Sequence, residues 1–284
     1  MRIQAIRSSR IKWPLIASLS ITVGFLLFAI PSHATVDWTE GFEYANQSAM
    51  NAVWTGDACI ADASVMTPST TRAFSGSRSL RMNYNGHQGI TPSYHSCAMS
   101  RRLAAPTEVL YARWYMYMEN FTVNSPGTKI MAQGPTQAYP SFWWVMLFGT
   151  PNFSVTPQGI VLADGTRTTV NLYGGAIPQN QWACLETRIT MSSPGGADGI
   201  IQSWINGVQQ QNITNQRMRG TEPIGTPPNL PDAKFAFVRL YTQHGVGNIY
   251  YDDLAVSRDA RIGCTASPPP DRQAPRAPSG FSFR

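Results

Sequence analysis

The chain has 284 residues, 13% of them charged, and a formal net charge of +6. The positive excess lies at the two ends: four basic residues precede residue 13, and the last twenty residues hold three arginines against one aspartate. Residues 35–264 are therefore neutral overall. This excludes a basic nucleic-acid-binding domain, which needs a positive surface to neutralise the phosphate backbone.

The first 34 residues are typical of a signal peptide. Four basic residues between Arg2 and Lys12 precede the uncharged apolar run at 14–30, and Ser32 and Ala34 are the small residues of a cleavage site. We predict cleavage after Ala34, and secretion or retention in a periplasm or on a cell surface. An uncleaved anchor is disfavoured because the run is shorter than the ~20 residues of a typical spanning helix. No later segment is apolar enough to span a membrane.

Four cysteines in an exported chain predict two disulfide bonds, with three connectivities open. We favour Cys59–Cys97 and Cys184–Cys264, because the second pair would tie the end of the domain to an inner strand. Residues 35–264 are expected to form one domain, and the Pro-rich tail at 265–284 an extended linker.

The domain has β-type patterns throughout and no convincing amphipathic helix. The predicted strands, each bounded by Gly, Pro, Asn or Ser clusters, are 78–84, 110–118, 142–148, 182–190, 200–205, 235–242 and 248–256. Asn206-Gly207 predicts a two-residue hairpin turn, since both positions need positive φ. Residues 119–141 and 208–234 are expected to be long loops. Many alternating strands without helices predict an all-β fold, a two-sheet antiparallel β jelly-roll sandwich, which we expect to be a monomer.

The alternation within three strands predicts which side chains lie outside the core. In 110–118, Trp114, Met116 and Met118 share one face, and the opposite face carries Arg113, Tyr115 and Tyr117. The same parity places Leu185, Thr187 and Ile189 inside and Glu186 and Arg188 outside. It also places Ala236, Val238 and Leu240 inside and Arg239 and Tyr241 outside.

Aromatic rings, guanidinium groups and a carboxylate on one non-core face favour a sugar-binding groove. Rings stack on pyranose faces, and planar donors bind carboxylates and hydroxyls. The alternative is a set of solvated cross-strand pairs, each contributing a few tenths of a kcal/mol. We favour the groove because three strands share the pattern.

Several motifs resemble the concanavalin A-like jelly rolls, and among them the secreted polysaccharide-lyase-like proteins. The resemblance covers residues 37–264 and rests on "GFEYA", "LYARWYMYM", "QWACLETRI", "GIIQSWINGV" and "IYYDDLAVSRDARIGC". It implies a concave sheet that holds an extended, anionic polysaccharide. The chain keeps only Glu186-x-Arg188 of the R-x-E-x-R strand of one alginate-lyase subgroup, and it lacks the E-x-D-x-x-E run of the glucanases.

If the protein is a lyase, the resemblance implies β-elimination at a uronic acid, which needs a carboxylate neutraliser, a base and an acid. The expected residues are Arg113 or Arg239 as neutraliser, His244 as base, and Tyr115 or Tyr241 as acid. The remaining candidates are expected to bind substrate: Tyr117, Lys129, Trp144, Glu186 and Arg188.

No cofactor or catalytic metal is expected. Some jelly rolls hold a structural calcium ion between an N-terminal Glu and a C-terminal Asp, which here are Glu43 and Asp253. Two alternatives to a lyase remain open: a non-catalytic carbohydrate-binding module and a structural cell-surface module.

Overall fold

The computed structural model describes residues 34–56, 58–85, 96–124, 127–134, 142–149, 151–158, 174–219 and 231–264. The tail at 265–284 and all of the predicted signal peptide except Ala34 lie outside the described residues. Within the described ranges no helix is long and apolar enough to cross a membrane. The helical segments there are α1 (Gln47–Asn51) and a 3-10 turn at Ala58–Ala61.

Strands make up most of the described chain. In order they are β1 (Val36–Glu40), β2 (Thr55–Gly56), β3 (Met66–Ser69), β4 (Ser79–Asn83), β5 (Ser96–Thr107), β6 (Val109–Val123), β7 (Thr128–Gly134), β8 (Phe142–Phe148), β9 (Asn152–Gln158), β10 (Trp182–Thr190), β11 (Gly199–Ile205), β12 (Val208–Gln216), β13 (Phe235–Gln243) and β14 (Gly245–Ser257).

The strands form two antiparallel sheets. Sheet A has the order β12-β11-β10-β6-β14-β4-β3, with β1 also paired to β14, and sheet B has the order β2-β5-β13-β7-β8-β9. Neighbours in the sheets are often distant in sequence, as in a jelly roll. The predicted all-β, two-sheet antiparallel jelly-roll sandwich is confirmed.

The seven predicted strands are all present, with ends that differ by a few residues. The two predicted long loops are wrong in part, because β7 lies within 119–141 and β12 begins at Val208. β12 is rich in Gln and Asn, and neither strand carries a regular alternation of apolar and polar residues. Asn206 (φ 49°) and Gly207 (φ 80°) form the predicted turn between β11 and β12.

Side-chain parity places the core between the sheets as predicted. Trp114, Met116 and Met118 lie in one apolar cluster with Val238 and Leu240 of sheet B. Full burial of such a side chain contributes about 1.5–3 kcal/mol. Ala236 is an exception: it packs on the opposite side of sheet B, because the β13–β5 register shifts between Phe235 and Phe237.

The disulfide Cys184–Cys264 is present and confirms that half of the predicted pairing. It joins β10, an inner strand of sheet A, to the segment that follows β14. Cys97 is also disulfide-bonded. The side chain of Cys59 lies outside the described residues, so its pairing stays a prediction.

Candidate functional site

The structure separates the predicted site residues into two groups. Arg113 and Glu186 lie on β6 and β10 of sheet A, whereas Arg239 and Tyr241 lie on β13 of sheet B. The expectation that the three strands converge on one groove is therefore wrong. Alternation within a strand predicts which side chains leave the core, but it does not predict which sheet the strand joins.

The outer face of sheet A is covered at Tyr115 and Tyr117 by residues 72–74. Phe74 stacks on Tyr115 with ring centroids 3.5 Å apart, and the Arg72 guanidinium lies 4.1 Å from the Tyr117 ring centre. Both tyrosines are buried. Their predicted roles as acid and substrate platform are disfavoured here, because the rings already stack within the protein.

Glu186 anchors a segment that we call the strap, residues 258–264. The Nε atom of Arg261 donates to Glu186 at 2.6 Å, and the backbone N–H groups of Ile262 and Gly263 donate to its other oxygen at 3.0 and 2.9 Å. Glu186 is fully buried. Its three donors indicate a structural role in place of the predicted contact with substrate.

The outer face of sheet B carries three of the predicted residues, Lys129, Arg239 and Tyr241. Arg239 donates through Nε to Ser100 Oγ at 2.6 Å and through Nη1 to the Tyr241 hydroxyl at 3.1 Å. Lys129 is in register with Gln243, two residues beyond Tyr241, and therefore lies on the same side of the sheet. The exposed fractions of Lys129, Arg239 and Tyr241 are 8%, 9% and 6%.

An irregularity in β7 determines where Lys129 lies. The β7–β8 register shifts between Lys129 and Met131, so that Ile130 and Met131 both lie in the core. Two buried tyrosine hydroxyls donate hydrogen bonds to the backbone of this region from the core side of sheet B. Tyr84 donates to the Tyr241 carbonyl at 2.7 Å, and Tyr251 donates to the Ile130 carbonyl at 3.3 Å.

Burial lowers the pKa of Lys129 to about 8. An ammonium group that loses water favours its neutral form. Near pH 8 the amine is therefore present in both protonation states, and either accepting or donating a proton is feasible. With the ordinary lysine pKa of about 10.4, nearly all of the amine would be protonated at pH 8.

His244 and Trp144 are less completely defined. His244 has a φ of 59° in the turn between β13 and β14, and its carbonyl accepts a 3.2 Å hydrogen bond from Asn124 N–H. Trp144 is in register with Ala132 of β7, but its side chain lies outside the described residues. Their predicted roles stay predictions.

The two predicted calcium ligands hold the loop after Phe74. Glu43 accepts hydrogen bonds from the N–H groups of Ser77 and Arg78 at 2.8 and 2.9 Å, and Asp253 accepts one from the Ser75 hydroxyl at 2.8 Å. Donors already occupy these oxygens, so the residues fit a loop anchor better than a cation site. Among the described residues no group of three or more His, Cys, Asp or Glu side chains is placed to hold a metal ion.

Sequence patterns did not indicate Ser100 or the covering residues Arg72 and Phe74. Ser100 lies on β5, a strand that was not predicted because its arginines and alanines obscure the alternation. Arg72 and Phe74 belong to "TRAFSGS", whose Gly and Ser content indicates only a turn. The disulfide at Cys264 was the available signal that a chain segment returns to sheet A.

No protein-family model matches the sequence, and no curated protein has a matching sequence. Solved structures match the fold. The PL-14 alginate lyase from Aplysia kurodai aligns with a TM-score of 0.58 and 16% identity, over 79% of this chain and 100% of that chain. "Cellulose induced protein, Cip1" aligns with a TM-score of 0.51 and 15% identity, over 80% of this chain and 100% of that chain.

Alginate lyase Aly36B aligns at a TM-score of 0.53 and 11% identity, over 78% of this chain and 97% of that chain. A variant of it has been solved in complex with alginate trisaccharide. These likenesses show that the chain shares the jelly-roll fold of those proteins. At such identities they show the fold alone.

Proposed function

We propose that the protein is a secreted, carbohydrate-active jelly-roll protein that binds an acidic polysaccharide on the outer face of sheet B and cleaves it by β-elimination. The observation that carries the proposal is the placement of Lys129, Arg239 and Tyr241 on one side of adjacent strands. The similarity in fold to alginate lyases supports the substrate class. The disulfide suits an oxidising compartment.

The three side chains fit the three requirements of the reaction. Arg239 neutralises the uronate carboxylate, which makes the C5 proton more acidic, and its bonds to Ser100 and Tyr241 fix the guanidinium plane. Lys129, with its lowered pKa, accepts the C5 proton as a neutral amine. Tyr241 donates its hydroxyl proton to the leaving glycosidic oxygen.

His244 is the alternative base, as the sequence analysis predicts. The assignment of Lys129 predicts a pH dependence, because a base must be unprotonated to act: kcat/KM rises with pH to a plateau above an inflection near 8. The variant His244→Ala separates the two assignments, because it abolishes turnover if His244 is the base and leaves the reaction in place if Lys129 is the base.

The proposal is tested by incubating the mature protein with acidic polysaccharides and following the ultraviolet absorbance of unsaturated uronic ends. We expect one acidic polysaccharide to give product, and Tyr241→Phe to lower kcat about 10²–10⁴-fold while binding is retained. Tyr250→Phe, on sheet A, is the matched control and should keep full activity. Binding without product from any substrate would contradict the lyase and favour the non-catalytic carbohydrate-binding module.

A further inference from the structure

Among the residues that the structure describes, Arg113 is a nearly buried cation without a counter-charge. It is 9% exposed, and its Nε atom is fully buried with no hydrogen-bond partner. Within the described part of the chain, none of its nitrogens has an acceptor, and its guanidinium lies 5.2 Å from the centre of the Tyr115 ring. A guanidinium removed from water without an acceptor is costly.

The strap explains why Arg113 is unpaired. Glu186 is its direct cross-strand neighbour and would be the natural ion-pair partner. Arg261 and two strap N–H groups bind both oxygens of Glu186 instead. The covalent link at Cys264 holds the strap in this position. The Glu186 carboxylate therefore binds the strap and does not pair with Arg113, which can bind another anion.

A second guanidinium lies beside it. Arg188 is opposite Tyr111, so it is a diagonal neighbour of Arg113 across β10 and β6, within about 7–8 Å. Its Nη1 donates to the Gln202 side chain at 3.1 Å, and its buried Nε has no partner. Among the described residues neither arginine forms an ion pair. Because the strap binds the neighbouring Glu186, these two adjacent cations lack an ion-pair partner, which raises the local potential and attracts anions.

We propose that Arg113 and Arg188 form a binding site for the carboxylate group of an external ligand on the outer face of sheet A. A guanidinium presents planar, forked donors that match a carboxylate with two parallel hydrogen bonds. The site lies on the opposite side of the molecule's core from Lys129 and Arg239. It is independent of the reaction proposed for sheet B.

The test follows the Arg113 Nε–Hε signal by NMR in the mature, isotope-labelled protein, with the signal assigned by its loss in Arg113→Met. The probes are sodium acetate, sodium glucuronate, glucose and sodium sulfate at constant ionic strength. We expect the carboxylates to shift the signal and glucose to leave it unchanged. A response to glucuronate alone identifies a sugar acid, and equal responses to both identify any small carboxylate.

Arg188→Met should weaken the carboxylate response at least fivefold. Arg81→Met is the matched control, because Arg81 lies on the same sheet at β4, beyond β14, and should leave the response unchanged. A signal that no carboxylate moves, or that only sulfate moves, contradicts the proposal.

Thermal unfolding gives an independent measurement. Since Met keeps much of the arginine stem and removes the unpaired charge, Arg113→Met should raise Tm in carboxylate-free buffer. It should also remove any rise in Tm that glucuronate gives the wild type. A lower Tm in that buffer, with no glucuronate effect on the wild type, would show that Arg113 is satisfied within the protein.

Discussion

Asp252 shows how one buried side chain maintains the cover over sheet A. Its Oδ2 atom accepts hydrogen bonds from the N–H groups of Phe74 and Ser75 at 2.7 and 3.1 Å. Burial raises its pKa to about 7. The carboxyl that holds the covering segment is thus partly protonated near neutral pH.

This shift predicts how stability depends on pH. Because the folded pKa lies above the unfolded value of about 3.9, the folded state binds more protons between pH 4 and 7, and stability falls as pH rises through this range. Three pKa units correspond to at most about 4 kcal/mol. Asp252→Asn cannot ionise and should lose this dependence.

Urea unfolding of both proteins between pH 4 and 7 measures the effect. The stability of the wild type relative to Asp252→Asn should decrease as pH rises. Other carboxyl groups contribute equally to both proteins and cancel, as does any pH-independent cost of the substitution. A constant or rising difference would contradict the raised pKa.

Tyr84 illustrates how the core supports the candidate site. Its hydroxyl donates to the Tyr241 carbonyl, where the β13–β7 pairing is interrupted after Leu240. Tyr84→Phe leaves this buried carbonyl without that donor and should lower the free energy of unfolding by about 1–3 kcal/mol.

Tyr111→Phe is the control, because the Tyr111 hydroxyl makes no hydrogen bond within the described chain. This substitution should change the free energy of unfolding by no more than about 0.5 kcal/mol. Equal effects would contradict a supporting role.

At the scale of elements, the end of the strap, from Arg261 to Cys264, is held by a disulfide and by the Glu186 carboxylate. The Cys184–Cys264 bond spans 80 residues of sequence. In the chain-entropy description, closing a loop of this length contributes about 4 kcal/mol. Replacing both cysteines with alanine should lower the free energy of unfolding by about 2–4 kcal/mol, measured in urea without reductant.

The same variant should also release the strap. The bonds to Glu186 and the contact of Arg261 with the Trp204 ring then act without the covalent link at Cys264, so trypsin should cleave after Arg261 faster than in the wild type. Unchanged stability together with unchanged cleavage would show that the disulfide is dispensable for holding the strap.

Local patterns predicted the elements better than their assembly. The predicted bounds of strand 182–190 agree with those of β10, and the turn predicted at Asn206-Gly207 is present. Both features depend only on residues that are close in sequence. The joint groove failed because strand pairing is non-local: β6 and β13 have the same alternation yet belong to different sheets. Lys129 lies on the outer face of sheet B because of a register shift in β7. The sequence "TKIMAQG" contains no alternation that would indicate this shift.

At the scale of the whole molecule, the two sheets present different outer faces. The outer face of sheet A is partly covered by residues 72–74 and the strap, which pack on its aromatic rings and bind Glu186. The outer face of sheet B carries Lys129, Arg239 and Tyr241 without Glu186 or Arg113. We propose polysaccharide cleavage on sheet B alone.

Two lysines allow a direct test of the candidate site on sheet B. Lys129 and Lys234 are the lysines that follow residue 34 in the sequence. Lys129 is buried on sheet B, whereas the Lys234 side chain is 47% exposed and lies 3.9 Å from Glu108. Both can be replaced by methionine, which removes the charge and preserves most of the stem.

The most direct measurement is the rate at which each lysine variant forms unsaturated ends from the acidic polysaccharide that the wild type cleaves. We predict that Lys129→Met lowers kcat/KM at least 100-fold, as expected for loss of a general base, and that Lys234→Met stays within twofold of the wild type. Equal rates for the two variants would contradict the placement of the active site on sheet B.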